Sequence, residues 1–168
     1  MSFPLQFHCA SLLHRRDCLR LIAATSLSCL PLALRAADGS GGWLPAAQSL
    51  RDELSQALRK KQPLLVMVSL EGCIYCKMAR QSHLVPMHQG GAPVVQVDFR
   101  SPQAVLDFAG KPTTHDELAR LWKVTVTPTL LFFGPGGREV AERMEGGYLP
   151  DFYGSYLDDR LVKARTQL

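Results

Sequence analysis

Between residues 46 and 162 the apolar positions switch repeatedly between helical and strand-like spacing. Leu50, Leu54, Ala57 and Leu58 recur at intervals of three and four, with Lys60-Lys61 behind them and Pro63 as a stop, which predicts a helix over residues 46–61. Residues 64–70 (Leu-Leu-Val-Met-Val-Ser-Leu) are too continuously apolar for a half-exposed strand and predict a central one. Met78, Ala79 and Leu84 predict a helix that ends before Pro86, and Val94-Val95-Gln96-Val97 a second strand beside the first. Residues 99–112, punctuated by Pro102, Gly110 and Pro112, read as an insertion with a short helix over 104–108. Thr114-His115-Asp116-Glu117 has capping-box spacing and opens a helix through Leu121-Trp122. Residues 129–133, the turn Gly134-Pro135-Gly136-Gly137 and residues 139–144 form a predicted antiparallel hairpin. A last helix over 150–162 is expected to bury Phe152, Tyr156, Leu157 and Leu161. The order α, β, α, β, α, β, β, α predicts an α/β domain with a central mixed sheet flanked by helices, and no internal repeat is visible.

The N-terminus follows a different pattern. His14-Arg15-Arg16-Asp17-Cys18-Leu19-Arg20 is basic, residues 21–34 are apolar, and Arg35-Ala36-Ala37 offers small residues for cleavage, so residues 1–36 read as an export signal cut near Ala36. The apolar run is interrupted by Pro31 and falls short of the roughly 20 residues a bilayer-spanning helix needs. Arg15-Arg16-x-x-Leu19-Arg20 resembles the twin-arginine export motif, with Cys18 where Phe is usual. Residues 37–45 read as a flexible leader and 46–168 as the folded domain. Of the 19 Lys and Arg, four lie in residues 1–36 against one of the 15 acids, leaving 15 against 14. The pI of 8.9 is therefore partly a property of the signal and makes no case for a nucleic-acid partner.

Cysteines sharpen this picture. Cys9, Cys18 and Cys29 fall in the segment expected to be removed, leaving only Cys73 and Cys76 in Gly72-Cys73-Ile74-Tyr75-Cys76-Lys77. An exported domain with no other cysteine must be held by its core, and its one thiol pair is free for chemistry. A cysteine placed at a helix N-terminus faces unpaired N–H groups and the positive end of the helix dipole, which favours the thiolate. Cys73 is therefore the expected nucleophile. Cys76, one turn along, is the expected resolving thiol that attacks the mixed disulfide and releases the partner. The second element is Val126-Thr127-Pro128-Thr129, where an X-Pro bond before a strand is a candidate cis peptide.

Together, Cys73-x-x-Cys76 after a strand and Thr127-Pro128 before another resemble the active site of the thioredoxin superfamily. The resemblance implies a thioredoxin-like fold with an insertion before the cis-proline strand. It also implies that Thr127 and Pro128, with the intervening Ile74 and Tyr75, meet the substrate as an added strand. Three residues depart from cytosolic thioredoxin: Gly72 stands in place of Trp, Ile74-Tyr75 in place of Gly-Pro, and Met67 in place of the buried acid. Without that acid, proton transfer to Cys76 falls to water or to a group such as Glu71. The combination of Glu-Gly-Cys-x-Tyr-Cys-Lys, the insertion, Glu117-Leu118-Ala119 with Val126-Thr127-Pro128-Thr129, and Gly146-Gly147-Tyr148 with Phe152 is similar to the periplasmic SoxW-type thioredoxins of sulfur-oxidation operons. That likeness implies a periplasmic reductant of oxidised client protein thiols, recharged by a membrane thiol transporter of the DsbD or CcdA type. The implied clients are the sulfur-carrier protein of thiosulfate oxidation or an apocytochrome.

Two rival readings are a thioredoxin-like binding or chaperone module that needs no turnover, and a metal site built from Cys73, Cys76, His83 and His88. The gap between Cys76 and His83 is short for a zinc finger, and Lys77 rather than His after Cys76 excludes covalent haem attachment by a C-x-x-C-H motif, so no cofactor and no metal are expected. His83, His88 and His115 read as surface or helix-end residues, and Trp43 and Trp122 as packing residues.

Overall fold

A computed structural model describes residues 43–146 and 150–168. The expected signal (1–36), residues 37–42 of the leader, and Gly147 and Tyr148 lie outside the described residues. Helix α1 (Leu50–Arg59) is followed by β1 (Leu64–Ser69), α2 (Ile74–Ala79), a π-helical segment (Arg80–Leu84) and α3 (Val85–Gln89). Then come β2 (Val94–Asp98), β3 (Ala104–Leu106), β4 (Pro112–Thr114), α4 (His115–Leu121), β5 (Thr129–Phe133), β6 (Met144–Glu145) and α5 (Pro150–Arg165). The main sheet has the order β2-β1-β5-β6, with β1 parallel to β2 and antiparallel to β5.

The six residues of β1 are all buried because the sheet is covered on both faces. Their side chains alternate. Leu64, Val66 and Val68 join Leu131 and Phe133 of β5 under Leu50, Leu54 and Ala57 of α1 and Leu118 of α4. Leu65 and Met67 join Leu130 and Phe132 under Cys76, Ala79 and Leu84 and the α5 residues Tyr153, Leu157 and Leu161.

Several elements depart from the expected pattern. Helix α1 begins at Leu50, capped by Ser49, whose hydroxyl accepts the Asp52 N–H. Residues before it run along the sheet edge instead: Leu44 is buried, and the Gln96 N–H donates to the Pro45 carbonyl at 2.8 Å. The helix after the cysteines does not stop at Pro86. The π-helical turn widens the coil so that the Val85 N–H reaches the Arg80 carbonyl, and helical structure continues through Pro86 to Gln89. The insertion holds a hairpin, not a helix: β3 and β4 pair antiparallel, Ala104 opposite Thr114. The return strand after β5 is also broken. Phe133 bridges Glu139 and Leu130 pairs with Met144, so two extra residues bulge out on the returning side.

Helix α5 buries Tyr153, Leu157, Leu161 and Ala164, while Phe152 and Tyr156 are 58% and 54% exposed. The two stripes lie one residue, about 100°, apart on the helix, and the sheet meets only the second. Trp122 does pack, its ring tilted against that of Phe133 at 5.1 Å beside Phe108 of the insertion. Phe108 in turn lies against the turn after β5, where Gly137 has φ +71° and a Cβ would come within 2.6 Å of the ring. Trp43, in contrast, is 63% exposed. His115 is at a helix start but fully buried, its Nδ1 accepting the Asp98 N–H and its Nε2 donating to the Ala47 carbonyl, each at 3.0 Å.

Candidate active site

The two cysteines sit where β1 hands the chain to α2. Gly72 takes φ +75°, a left-handed turn that a tryptophan at this position would resist. Cys73 is then the N-cap of α2, and its sulfur accepts the Cys76 N–H at 3.1 Å. The helix N-terminus thus supplies a donor to this sulfur. Cys73 and Cys76 are joined as a disulfide with their Cα atoms 5.2 Å apart. Cys73 is partly exposed, whereas Cys76 is wholly buried in the cluster that contains Met67. Met67, which stands in place of the buried acid, is fully buried among apolar side chains, and Glu71 is exposed.

Thr127-Pro128 is a cis peptide and leads into β5, the neighbour of β1. Its position brings the Thr127 hydroxyl to 3.8 Å and the Thr127 carbonyl to 3.9 Å from the Cys73 sulfur. Thr129 Oγ1 donates to the Val126 carbonyl at 2.7 Å, and the Gly146 N–H donates to the Pro128 carbonyl at 2.7 Å, tying the loop from both sides. Cys73, Cys76, Thr127 and Pro128 are therefore brought together from positions far apart in the chain. Ile74 and Tyr75 stand outward beside the disulfide, 59% and 55% exposed, and Val126 next to Thr127 is 41% exposed. Large apolar side chains left in water around one reactive atom form a surface suited to contact with another molecule.

His83 does not join the cysteines: its ring packs at 5.2 Å against Tyr153 of α5. Among the described residues no three His, Cys, Asp or Glu side chains gather in a geometry that could hold a metal ion. Nor is any helix among them long and apolar enough to cross a membrane.

A second group of residues borders Cys73 and was not singled out in the sequence. Arg80, four residues after Cys76 and thus on the same side of the helical segment, is buried. Its Nη2 donates to Ser69 Oγ at 2.7 Å and its Nε to Gln96 Oε1 at 2.8 Å, while Gln96 Nε2 donates to Asp98 Oδ1 at 2.6 Å. Burial pushes the guanidinium below its ordinary range, and the charge of Asp98 opposes that shift. The available signal was a polar residue, Ser69, ending an apolar strand in register with Asp98, with an arginine at helical spacing from a buried cysteine.

The sequence profile described as "Thioredoxin-like domain" matches residues 50–160. No curated protein matches the chain significantly. Among solved structures, one described as "DsbH Oxidoreductase" is similar at 22% identity and TM-score 0.51, covering 72% of this chain and 87% of its own. A thioredoxin from Thermus thermophilus is similar at 21% identity and TM-score 0.51, over 73% and 91% of the two chains. The periplasmic thioredoxin SoxS from Paracoccus pantotrophus shares 23% identity with TM-score 0.41, over 61% and 99%. At these identities the two likenesses with TM-score 0.51 speak for the fold alone. With the profile spanning most of the chain and a C-x-x-C pair at disulfide distance on that fold, the protein belongs to the thioredoxin-like family.

Proposed function

We propose that this protein is an exported, periplasmic thiol:disulfide oxidoreductase that reduces disulfides in client proteins. The observation that carries the reading is the asymmetry of the pair: a partly exposed Cys73 sulfur at a helix N-terminus, facing Thr127, bonded to a fully buried Cys76. In the reduced protein the Cys73 thiolate attacks a client disulfide and forms a mixed disulfide. Cys76 then attacks the Cys73 sulfur, the client leaves as a dithiol, and the protein is left as the observed disulfide. The Cys76 N–H and the Thr127 hydroxyl are placed to stabilise the attacking thiolate. The exposed Ile74, Tyr75 and Val126 supply the apolar contact, and the backbone of Thr127 pairs with an extended client segment.

Periplasmic location rests on the signal read in residues 1–36, and recharging by a membrane thiol transporter of the DsbD or CcdA type rests on the resemblance to SoxW-type thioredoxins. Reduction, as opposed to disulfide formation, is favoured by the absence of a histidine between the cysteines. The deciding measurement is the reduction potential of the Cys73-Cys76 pair, equilibrated against glutathione and dithiothreitol buffers. A value close to that of thioredoxin, about −270 mV, is expected. A value near −120 mV, roughly that of DsbA, would reverse the direction, and the absence of any two-electron couple would favour a binding module instead.

A further inference from the structure

A cavity of about 950 Å³ opens along Cys73 on the β2 side of the disulfide, away from Thr127 and Pro128, which do not line it. Its size is that of a small-molecule site. Arg80 lines it, with Lys77 and Arg100 nearby and the Trp43 ring over the guanidinium at 5.2 Å. The hydrogen-bond partners of Arg80 among the described residues are Ser69 and Gln96, both neutral, and neither uses Nη1. Among the described residues no carboxylate comes within 4.0 Å of the guanidinium. The acids that also face the cavity are Glu71, which is exposed, and Asp98, whose carboxylate accepts from Gln96 and lies 3.8 Å from His115 Nδ1. A buried guanidinium hydrogen-bonded to neutral groups, with Asp98 joined to it only through Gln96 and spare donors beside an open cavity, is an incomplete ion pair.

We propose that this cavity is a carboxylate-binding subsite, which seats an acidic group of the disulfide substrate while Cys73 attacks the substrate sulfur. The inference rests on the exchange reading and names the substrate class for it. The carboxylate belongs either to a low-molecular-weight disulfide or to an acidic residue next to a client cysteine. For a disulfide R–S–S–R′, the Cys73 thiolate forms a bond to one sulfur and expels R′S⁻. Cys76 next forms the protein disulfide and expels RS⁻, and the two protons of the cysteine pair end on the two leaving thiolates. The protein dithiol is the reductant, giving up two electrons.

The test compares the reduced protein's rates with 3,3′-dithiodipropionate, neutral 2-hydroxyethyl disulfide and cationic cystamine, each divided by the rate with free dithiothreitol. One charge-assisted contact predicts a preference of about tenfold for the dicarboxylate over the neutral probe. Arg80→Gln is expected to bring that ratio to about one, and Lys77→Gln with Arg100→Gln, both at exposed positions, to lower it in part. A parallel pair of disulfide-bonded peptides, with Asp or Asn beside one cysteine, separates the sources. Preference confined to the peptides assigns the subsite to protein clients, and preference confined to the small probes assigns it to free disulfides. Equal normalised rates in both sets would overturn the subsite and leave the exchange reading standing. No reaction with any disulfide would overturn both.

Discussion

The chemistry proposed for this protein is concentrated in a few atoms around the Cys73 sulfur. Because that sulfur is the exposed member of the pair, Cys73→Ser is expected to abolish disulfide reduction. Cys76→Ser is expected to accumulate mixed disulfides with clients, visible as thiol-sensitive adducts on a non-reducing gel. Failure to trap any partner would count against an exchange enzyme. The Thr127 hydroxyl lies 3.8 Å from the same sulfur, so Thr127→Val removes a donor to the thiolate. The rate at which the reduced protein attacks 2-hydroxyethyl disulfide is expected to fall, read from single-turnover kinetics. These residues were legible in the sequence because C-x-x-C and Thr-Pro carry their own spacing and chemistry. Arg80 was not, since nothing local distinguishes a helix arginine that points into a protein from one that points into water.

At the scale of elements, helix ends set the boundaries. Thr114 caps α4, its hydroxyl accepting the Glu117 N–H while Glu117 accepts the Thr114 N–H. Thr114→Ala should cost about 1 kcal/mol in chemical unfolding. Bonds from the Thr113 hydroxyl and the Thr114 N–H hold the Glu117 carboxyl below its ordinary 4.5, so its share of stability is present above that value and lost as the pH falls further. Glu53 of α1 behaves oppositely. Burial raises its carboxyl above 4.5, against the N–H groups of Gln48 and Ser49, and its Oε2 is buried with no hydrogen-bond partner among the described residues. A raised pKa in the folded protein gives stability that is full at low pH and is lost as the pH rises through it. Glu53→Gln is therefore expected to gain stability relative to the natural protein as the pH rises from about 4.5, seen by urea unfolding across that range. The capping box was readable because its residues are neighbours in sequence. The π-helical turn that carries the chain past Pro86 was not, because local rules stop a helix there.

For the whole molecule, the two faces of one sheet make two cores, and the α2 and α5 face also holds Cys76. Phe132 is fully buried in that face, and Phe132→Ala is expected to cost about 3–5 kcal/mol. The loss would also loosen the support of Cys76, so thiol exchange should fall along with the thermal midpoint.

Periodicity and residue chemistry alone determined the order of the main elements, the central strand and the position of the thiol pair, because each is encoded within a few residues of itself. Which aromatic stripe of α5 is buried, whether the insertion is a hairpin or a helix, and what borders Cys73 were decided by tertiary structure. Tyr153 and Leu157 enter the core while Phe152 and Tyr156 stay outside it, because the sheet meets the helix from one side only. Ser69, Arg80, Gln96 and Asp98 converge because β1 pairs with β2 and the helical segment crosses them, an arrangement set by packing and absent from any local run of residues.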